Sequence, residues 1–205
     1  MSETFSESDL EPSAEEAARK RRSVVDRVAV IVAVLAAGLV VGGMVALGAC
    51  AAPMVFRLTP APFSGNAMGA AFARFDRVAI GASCALLAAE VVRTYLARRQ
   101  RPRITERLRR FAGIGLAGAV TFMGLVLSPE INDLHAKGAR RGQGELGMQL
   151  EATHQRAELV GRLEAALGLL CIVLHVFTLR PGTEEDDDDL SAPAPLPPGP
   201  GSDPP

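Results

Sequence analysis

The feature that most constrains this chain is an uncharged run of 25 residues from Val28 to Ala52. A helix needs about 20 apolar residues to cross the ~30 Å hydrocarbon core of a bilayer, so the run predicts a membrane-spanning helix over 28–52. A polar segment precedes the run, which is also longer than the apolar core of a secretory signal. We therefore expect an uncleaved anchor, although Leu47 to Cys50 resembles a lipoprotein cleavage site.

Three further apolar segments predict spans at 78–97, 111–127 and 159–179. The third segment is short, since 17 residues at 1.5 Å each extend only about 26 Å, so we expect Arg109 and Arg110 to snorkel at its start. Backbone groups in lipid are satisfied only within helices or closed barrels. The predicted fold class is therefore all-α, an integral membrane bundle of four transmembrane helices over 23–180.

The distribution of basic residues predicts the orientation of this bundle. With both termini inside, 14 of the 22 Lys and Arg residues lie on the cytoplasmic side, many of them between Arg98 and Arg110. Cytoplasmic loops carry the excess of such residues, so we expect both termini in the cytoplasm. Arg-, Ala-, Gly- and Pro-rich composition indicates a bacterial cell (inner) membrane. The net charge of −1 gives no support to nucleic-acid binding, and the lipid bilayer is the expected partner.

Both tails are predicted to be disordered. Residues 1–22 are polar, with a short helix at Ala14–Arg22 as an alternative for their second half. Residues 181–205 combine the acidic run Glu184 to Asp189 with a Pro/Gly-rich end, which cannot bury a core. The three cysteines lack the paired spacing of a disulfide framework or a zinc site.

Small residues recur at four-residue spacing in the first span, at Gly38, Gly42 and Ala46. Such residues let two helices approach closely. The spacing fits packing inside the bundle, and it also fits a homo-oligomer seam. An unidentified protein partner is a further expectation.

Polar residues at membrane depth predict one contact and one polar face. Glu164, Gly168, Cys171 and His175 share one face of the last span because their spacings are 4, 3 and 4. Intramembrane ionisable residues usually face a partner or a cavity. Glu90 lies at a depth that lets it meet His175, which would form an intramembrane pair. The alternative is that Glu90 pairs with Arg93 or Thr94 on its own helix.

An amphipathic helix in the outer loop is predicted just before the last span. Glu151, His154, Glu158 and Arg162 follow one another at helical spacing, and Glu158 and Arg162 suit an i,i+4 ion pair. His154 and Glu158 are also candidate metal ligands, the alternative being an ordinary solvated face. The sequence contains no nucleophile elbow, Walker loop or HExxH motif. We expect neither an enzyme nor a bound cofactor.

The stretch from Gly48 to Asp76 contains a helix-ending proline, a small-residue turn at 64–66 and an aspartate that opens the next helix. With later motifs it resembles the membrane-protein family that contains eukaryotic transmembrane protein 205. The resemblance implies a four-helix membrane domain over about 28–179 and assigns no catalytic residues. The positions that carry it are Pro53, Phe56, Phe72, Asp76, Pro129 and His154.

Three functions remain open at this point. The first is a non-enzymatic scaffold or regulatory membrane component. The second is a small oligomeric transporter or ion-permeation subunit, which would depend on Glu90, Glu164 or His175. The third is a metal- or haem-binding redox component of the membrane.

Overall fold

The computed structural model describes residues 13–60, 63–98 and 103–179, and the predicted acidic tail lies outside these ranges. The described residues are helical and contain no β-strand, which confirms the all-α class. Within these ranges, six α-helices follow in chain order: α1 (Ala14–Val45), α2 (Ala52–Leu58), α3 (Phe63–Leu96), α4 (Ile104–Phe122), α5 (Ser128–Ala136) and α6 (Gly144–Phe177).

The four long helices pack as a ring. α1 contacts α3 and α6, and α4 contacts the same two helices from the other side. We call one end of this ring the terminal end and the opposite end the cavity end. The terminal end contains the start of α1, the end of α3, the start of α4 and the end of α6. Between them lies an apolar layer in which every member is 0% exposed: Ala37, Leu86, Leu116 and Cys171.

Two prolines lie within continuous helical segments. Pro53 was expected to end its helix, because proline lacks an N–H and its ring clashes with the carbonyl four residues earlier; the same constraint applies at Pro129. Instead, π-helical turns at Ala46–Ala51 and Met123–Leu127 precede them. The amide just before each proline bonds to a carbonyl five residues earlier, which widens the turn and makes room for the ring. The prediction that Pro53 ends its helix is therefore wrong.

α3 begins much earlier than predicted. The expected start at residue 78, the turn at 64–66 and the opening role of Asp76 are wrong, because helix runs from Phe63 to Leu96 without a break. Ser64 and Met68 are buried along this first part, so packing against the bundle compensates for the weak helix propensity of its Gly and Ser residues.

α6 likewise begins earlier than predicted and includes the predicted outer-loop helix. The stretch around Glu151 and the predicted span 159–179 form one helix from Gly144 to Phe177. Gly and Pro are absent between His154 and Leu159, so nothing there breaks the helix. The amphipathic helix that was predicted to lead into the last span is therefore present and continuous with it. Of its polar stripe, Glu158 and Arg162 are exposed, and Glu151 and His154 are half-buried.

The N-terminal tail is shorter than predicted. α1 starts at Ala14 with a capping box, in which the Ser13 hydroxyl accepts from the Glu16 amide at 3.2 Å and Glu16 accepts from the Ser13 amide at 2.8 Å. Such reciprocal bonds satisfy amides that a helix start leaves open. The alternative of a helix at Ala14–Arg22 is correct, and that helix is continuous with the first span.

Among the described residues, three continuous helical segments are long and apolar enough to cross a membrane: Ala14–Leu58, Ile104–Ala136 and Gly144–Phe177. They correspond to three of the four predicted spans. α3 is not among them; its charged residues Asp76, Glu90 and Arg93 lie buried inside the bundle.

The small-residue face of α1 does not pack inside the described bundle. A Cβ placed at Gly38 or Gly42 would meet nothing within 4 Å, and Ala46 is exposed. Close internal packing instead occurs on another face, where a Cβ at Gly168 would lie 2.5 Å from Val41. The homo-oligomer seam at Gly38, Gly42 and Ala46 stays a prediction.

Candidate functional site

The terminal end of the ring contains a buried ionic network, the terminal cluster. Arg93 of α3 is 5% exposed, and its Nε donates to Oδ1 of Asp26 on α1 at 2.9 Å. Its Nη2 donates to the backbone carbonyl of Thr178, just past α6, at 3.2 Å. Arg93 therefore links three chain segments at the point where they leave the bundle.

Glu90 is the centre of the same cluster. Its Oε1 lies 2.7 Å from Nε of Arg109 and 2.7 Å from Nε2 of His175. The atoms are close but poorly aligned for hydrogen bonds. The contact with Arg109 is an ion pair, and the contact with His175 becomes one when the imidazole is protonated. Nδ1 of His175 lies 2.7 Å from the Cys171 carbonyl, which can only accept, so Nδ1 carries a hydrogen.

The structure thus brings together Glu90 and His175, the two residues whose depths matched in the sequence. The alternative pairing within α3 is not formed, since Arg93 turns to Asp26 instead. Arg109 was expected to snorkel, and that prediction is wrong: the residue is 3% exposed. Its Nη1 also donates to the Thr178 hydroxyl at 2.8 Å. The sequence contained a signal for this burial, because Arg109 falls on the same face of α4 as the buried residues Ala112 and Leu116.

A cavity of about 640 Å³ occupies the other end of the ring, and we call it the cavity. The π-helical turns contribute Gly48 and Met123 to its wall, and such turns are frequent at functional sites. Three methionines and three phenylalanines make much of the lining apolar: Met44, Met68, Met123, Phe56, Phe72 and Phe75.

Two carboxyl groups reach this cavity from opposite corners of the ring. Asp76 on α3 is 8% exposed and Glu164 on α6 is 4% exposed. The side chain of Asp76 bonds to Ser128, yet its Oδ2 has no partner, and neither does Oε1 of Glu164. The two groups are close enough to repel each other electrostatically. Buried carboxylates without a counter-charge are costly, so this pair contrasts with the compensated Glu90.

Among the described ionisable groups at the mouth of the cavity, Glu158, Arg141 and His135 are exposed and His154 is half-buried. Glu158 forms the predicted i,i+4 ion pair with Arg162, which is therefore confirmed. The rings of His135 and His154 meet edge to face, with centroids 5.9 Å apart. Among the described residues, no group of three His, Cys, Asp or Glu side chains could hold a metal ion. The candidate ligands His154 and Glu158 therefore receive no third ligand of these types within that part of the chain.

The terminal cluster and the cavity are well separated. Asp76 precedes Glu90 by 14 residues on one helix, or about 21 Å at 1.5 Å per residue. The apolar layer lies between the two sites and is fully buried. In this conformation the cavity is therefore closed toward the terminal end.

Comparison with protein families gives one match, over residues 35–140, to a family described as a domain of unknown function, DUF4149. The chain belongs to the DUF4149 family. The match covers just over half of the chain and includes Asp76, Glu90 and Arg109. No curated protein and no solved structure shows a significant match.

The DUF4149 match ends before α6, which supplies Glu164 and His175. Both residues share one buried face of that helix with Gly168 and Cys171, as their spacing predicts. α6 therefore completes both the terminal cluster, through His175, and the cavity, through Glu164. Together with the three span-like helices, DUF4149 membership fits a multi-pass membrane protein of unknown function.

Proposed function

We propose that this protein is a non-enzymatic component of a bacterial cell membrane that binds a small ligand in the cavity. One observation carries the proposal: Asp76 and Glu164, both more than nine-tenths buried, line a volume of about 640 Å³ and keep carboxyl oxygens without partners. Buried, uncompensated groups at a cavity are typical of binding sites, where stability is given up for function.

The proposed arrangement has four spans, with α3 as the fourth and both termini in the cytoplasm. Its support is the bundle ring, in which α3 lies beside α1 and α4, together with the basic residues at the terminal end. The cavity then faces the outer side of the membrane. Reporter fusions after Arg98 and after Gly142 test this topology: we expect cytoplasmic activity at the first site and periplasmic activity at the second.

We also propose that the chain is a bacterial relative of the family that contains transmembrane protein 205. Support comes from the positions that carry the resemblance. Phe56, Phe72, Asp76 and His154 all line the cavity, and Pro53 and Pro129 follow the π-helical turns that shape it. A ligand-binding role of the cavity accounts for the location of all these positions at or beside it. The transporter and redox alternatives stay predictions, since transport would require the apolar layer to open.

Thermal unfolding of purified variants tests the ligand-binding role. Asp76→Asn and Glu164→Gln each replace a buried acid that has no counter-charge, so we expect no loss of stability, or a gain of about 0.5–2 kcal/mol. Glu90→Gln is the matched control, because the same chemical change leaves Arg109 and His175 without an anion. It should cost about 3–5 kcal/mol. Comparable losses in all three variants would show that Asp76 and Glu164 are structural, which contradicts the proposal.

A further inference from the structure

The cavity combines a deep acidic pair with an apolar wall. Asp76 and Glu164 supply the unpartnered oxygens, while methionines and phenylalanines such as Met44, Met123 and Phe75 supply the apolar surface. The volume lies within the range of about 300–1,000 Å³ that is usual for pockets of organic ligands. A bare metal ion would leave most of this space unfilled.

The charges around the cavity favour a cation. Its wall also contains Glu158, Arg141, His135 and His154. Glu158 is paired with Arg162, and Arg141 is paired with an acid outside the wall at 2.6 Å. Arg141 is therefore already paired with another acid and does not compensate Asp76 or Glu164. An anionic ligand would place its charge beside two acidic groups that have no cation to pair with, which is unfavourable.

We propose that the cavity binds an organic cation, a positively charged nitrogen or comparable centre attached to an apolar body. This inference rests on the proposed ligand-binding function and names its ligand class. The charged centre pairs with Asp76 and Glu164, which removes the cost of burying them. The apolar body packs on the methionines, and the faces of Phe72 and Phe75 add cation–π attraction.

Such a cation can come from two sources, a soluble amine or the amine headgroup of a membrane lipid. Phe56 and Phe72 line the cavity and remain 57% and 36% exposed, so its mouth is open at the surface of the protein. Both sources share the positively charged centre that the acidic pair recognises, and the experiment separates them.

Equilibrium binding of tetraphenylphosphonium to the full chain in detergent tests the inference. Tetraphenylborate, which has the same shape and the opposite charge, is the matched probe. We expect saturable binding of the phosphonium at one site per chain and much weaker binding of the borate. Asp76→Asn and Glu164→Gln should each weaken phosphonium binding by about tenfold or more, because each removes a charge-assisted contact.

Two further variants keep this test decisive. Asp133→Asn removes an acid that lies at the same end, outside the cavity wall, and pairs with Lys137; phosphonium binding should not change. Gly161→Leu leaves both acids intact but fills the space beside Met44, which a Cβ at that position approaches to 3.5 Å. It should weaken binding of the phosphonium, and it serves if the acid variants fail to fold.

A second binding experiment, in lipid bilayers of defined composition, identifies the source of the cation. The protein is reconstituted into nanodiscs of phosphatidylglycerol with or without phosphatidylethanolamine. Weaker phosphonium binding in the presence of phosphatidylethanolamine supports a lipid amine as occupant, and unchanged binding supports a soluble amine.

Equal binding of phosphonium and borate, or phosphonium affinity unaffected by Asp76→Asn, Glu164→Gln and Gly161→Leu, would overturn the organic-cation inference. The proposed function would still stand if the acid variants keep or gain stability while Glu90→Gln loses it. The failure of the ligand class is therefore distinguishable from the failure of the binding role.

Discussion

Nε2 of His175 lies 2.7 Å from Oε1 of Glu90, although α6 and α3 occupy opposite corners of the ring. The contact is made across the centre of the bundle, and Arg109 from α4 reaches the same oxygen. Three helices thus share one carboxylate at the terminal end. Since Glu90, Arg93 and Arg109 each have an oppositely charged partner, the terminal cluster stabilises the bundle, in contrast to the uncompensated acids at the cavity.

A double-mutant cycle measures the energetic coupling between Glu90 and His175. His175→Ala should destabilise the protein, and Glu90→Gln should cost more, because two cations then lose their anion. The coupling between the two substitutions should be about 0.5–3 kcal/mol, and it should be partial, since Arg109 remains unpaired in the double variant. Chemical or thermal unfolding in detergent provides the free energies. A coupling within error of zero would show that the contact contributes nothing.

Close packing beside Asp76 gives a second prediction. A Cβ at Gly124 would lie 3.0 Å from Cδ1 of Ile80 and 3.1 Å from Cβ of Asp76. Gly124→Ala should therefore push α3 outward and reduce the unfolding free energy by about 1–3 kcal/mol. Gly118→Ala is the matched control, because a Cβ there meets nothing within 4 Å. That variant should be neutral or more stable by up to about 1 kcal/mol; equal losses would refute the packing argument.

The capping box predicts a local effect at the start of α1. Ser13→Ala removes the hydroxyl that accepts from the Glu16 amide, which should cost about 1 kcal/mol of local helix stability. Hydrogen exchange should become faster for residues 14–22 only, while global unfolding stays unchanged because this segment is exposed. Unchanged exchange rates in that segment would show that the cap does not hold the helix start.

Thiol labelling tests whether α3 spans the membrane. Cys84 lies on the exposed surface of α3, and a spanning α3 would place it against lipid. A water-soluble maleimide reacts with thiolate, so Cys84 should stay unlabelled in the bilayer, as should the buried Cys171. An Asn66→Cys variant, exposed near the start of the helix, should label readily.

Peptide mass spectrometry would assign each modified cysteine, and labelling after unfolding in sodium dodecyl sulfate is the control for reactivity. Rapid labelling of Cys84 in the bilayer, at the rate of the Asn66→Cys variant, would contradict the four-span arrangement.

The sequence by itself determined the helical class, the apolar part of each long helix and the buried face of α6. These properties depend on local patterns: apolar length must match the hydrocarbon thickness, and residues three or four apart share a helix face. The i,i+4 pair of Glu158 and Arg162 was predictable for the same reason.

The tertiary structure alone decided how the arginines of the terminal cluster are paired. The contacts of Glu90 with Arg109 and of Asp26 with Arg93 require a particular rotation and register of separate helices, which no local pattern fixes. The π-helical turns carried the helices through Pro53 and Pro129. Packing extended α3 back to Phe63, because bundle contacts outweigh weak local propensity. The approach of Asp76 and Glu164 across one cavity follows from that same long-range packing.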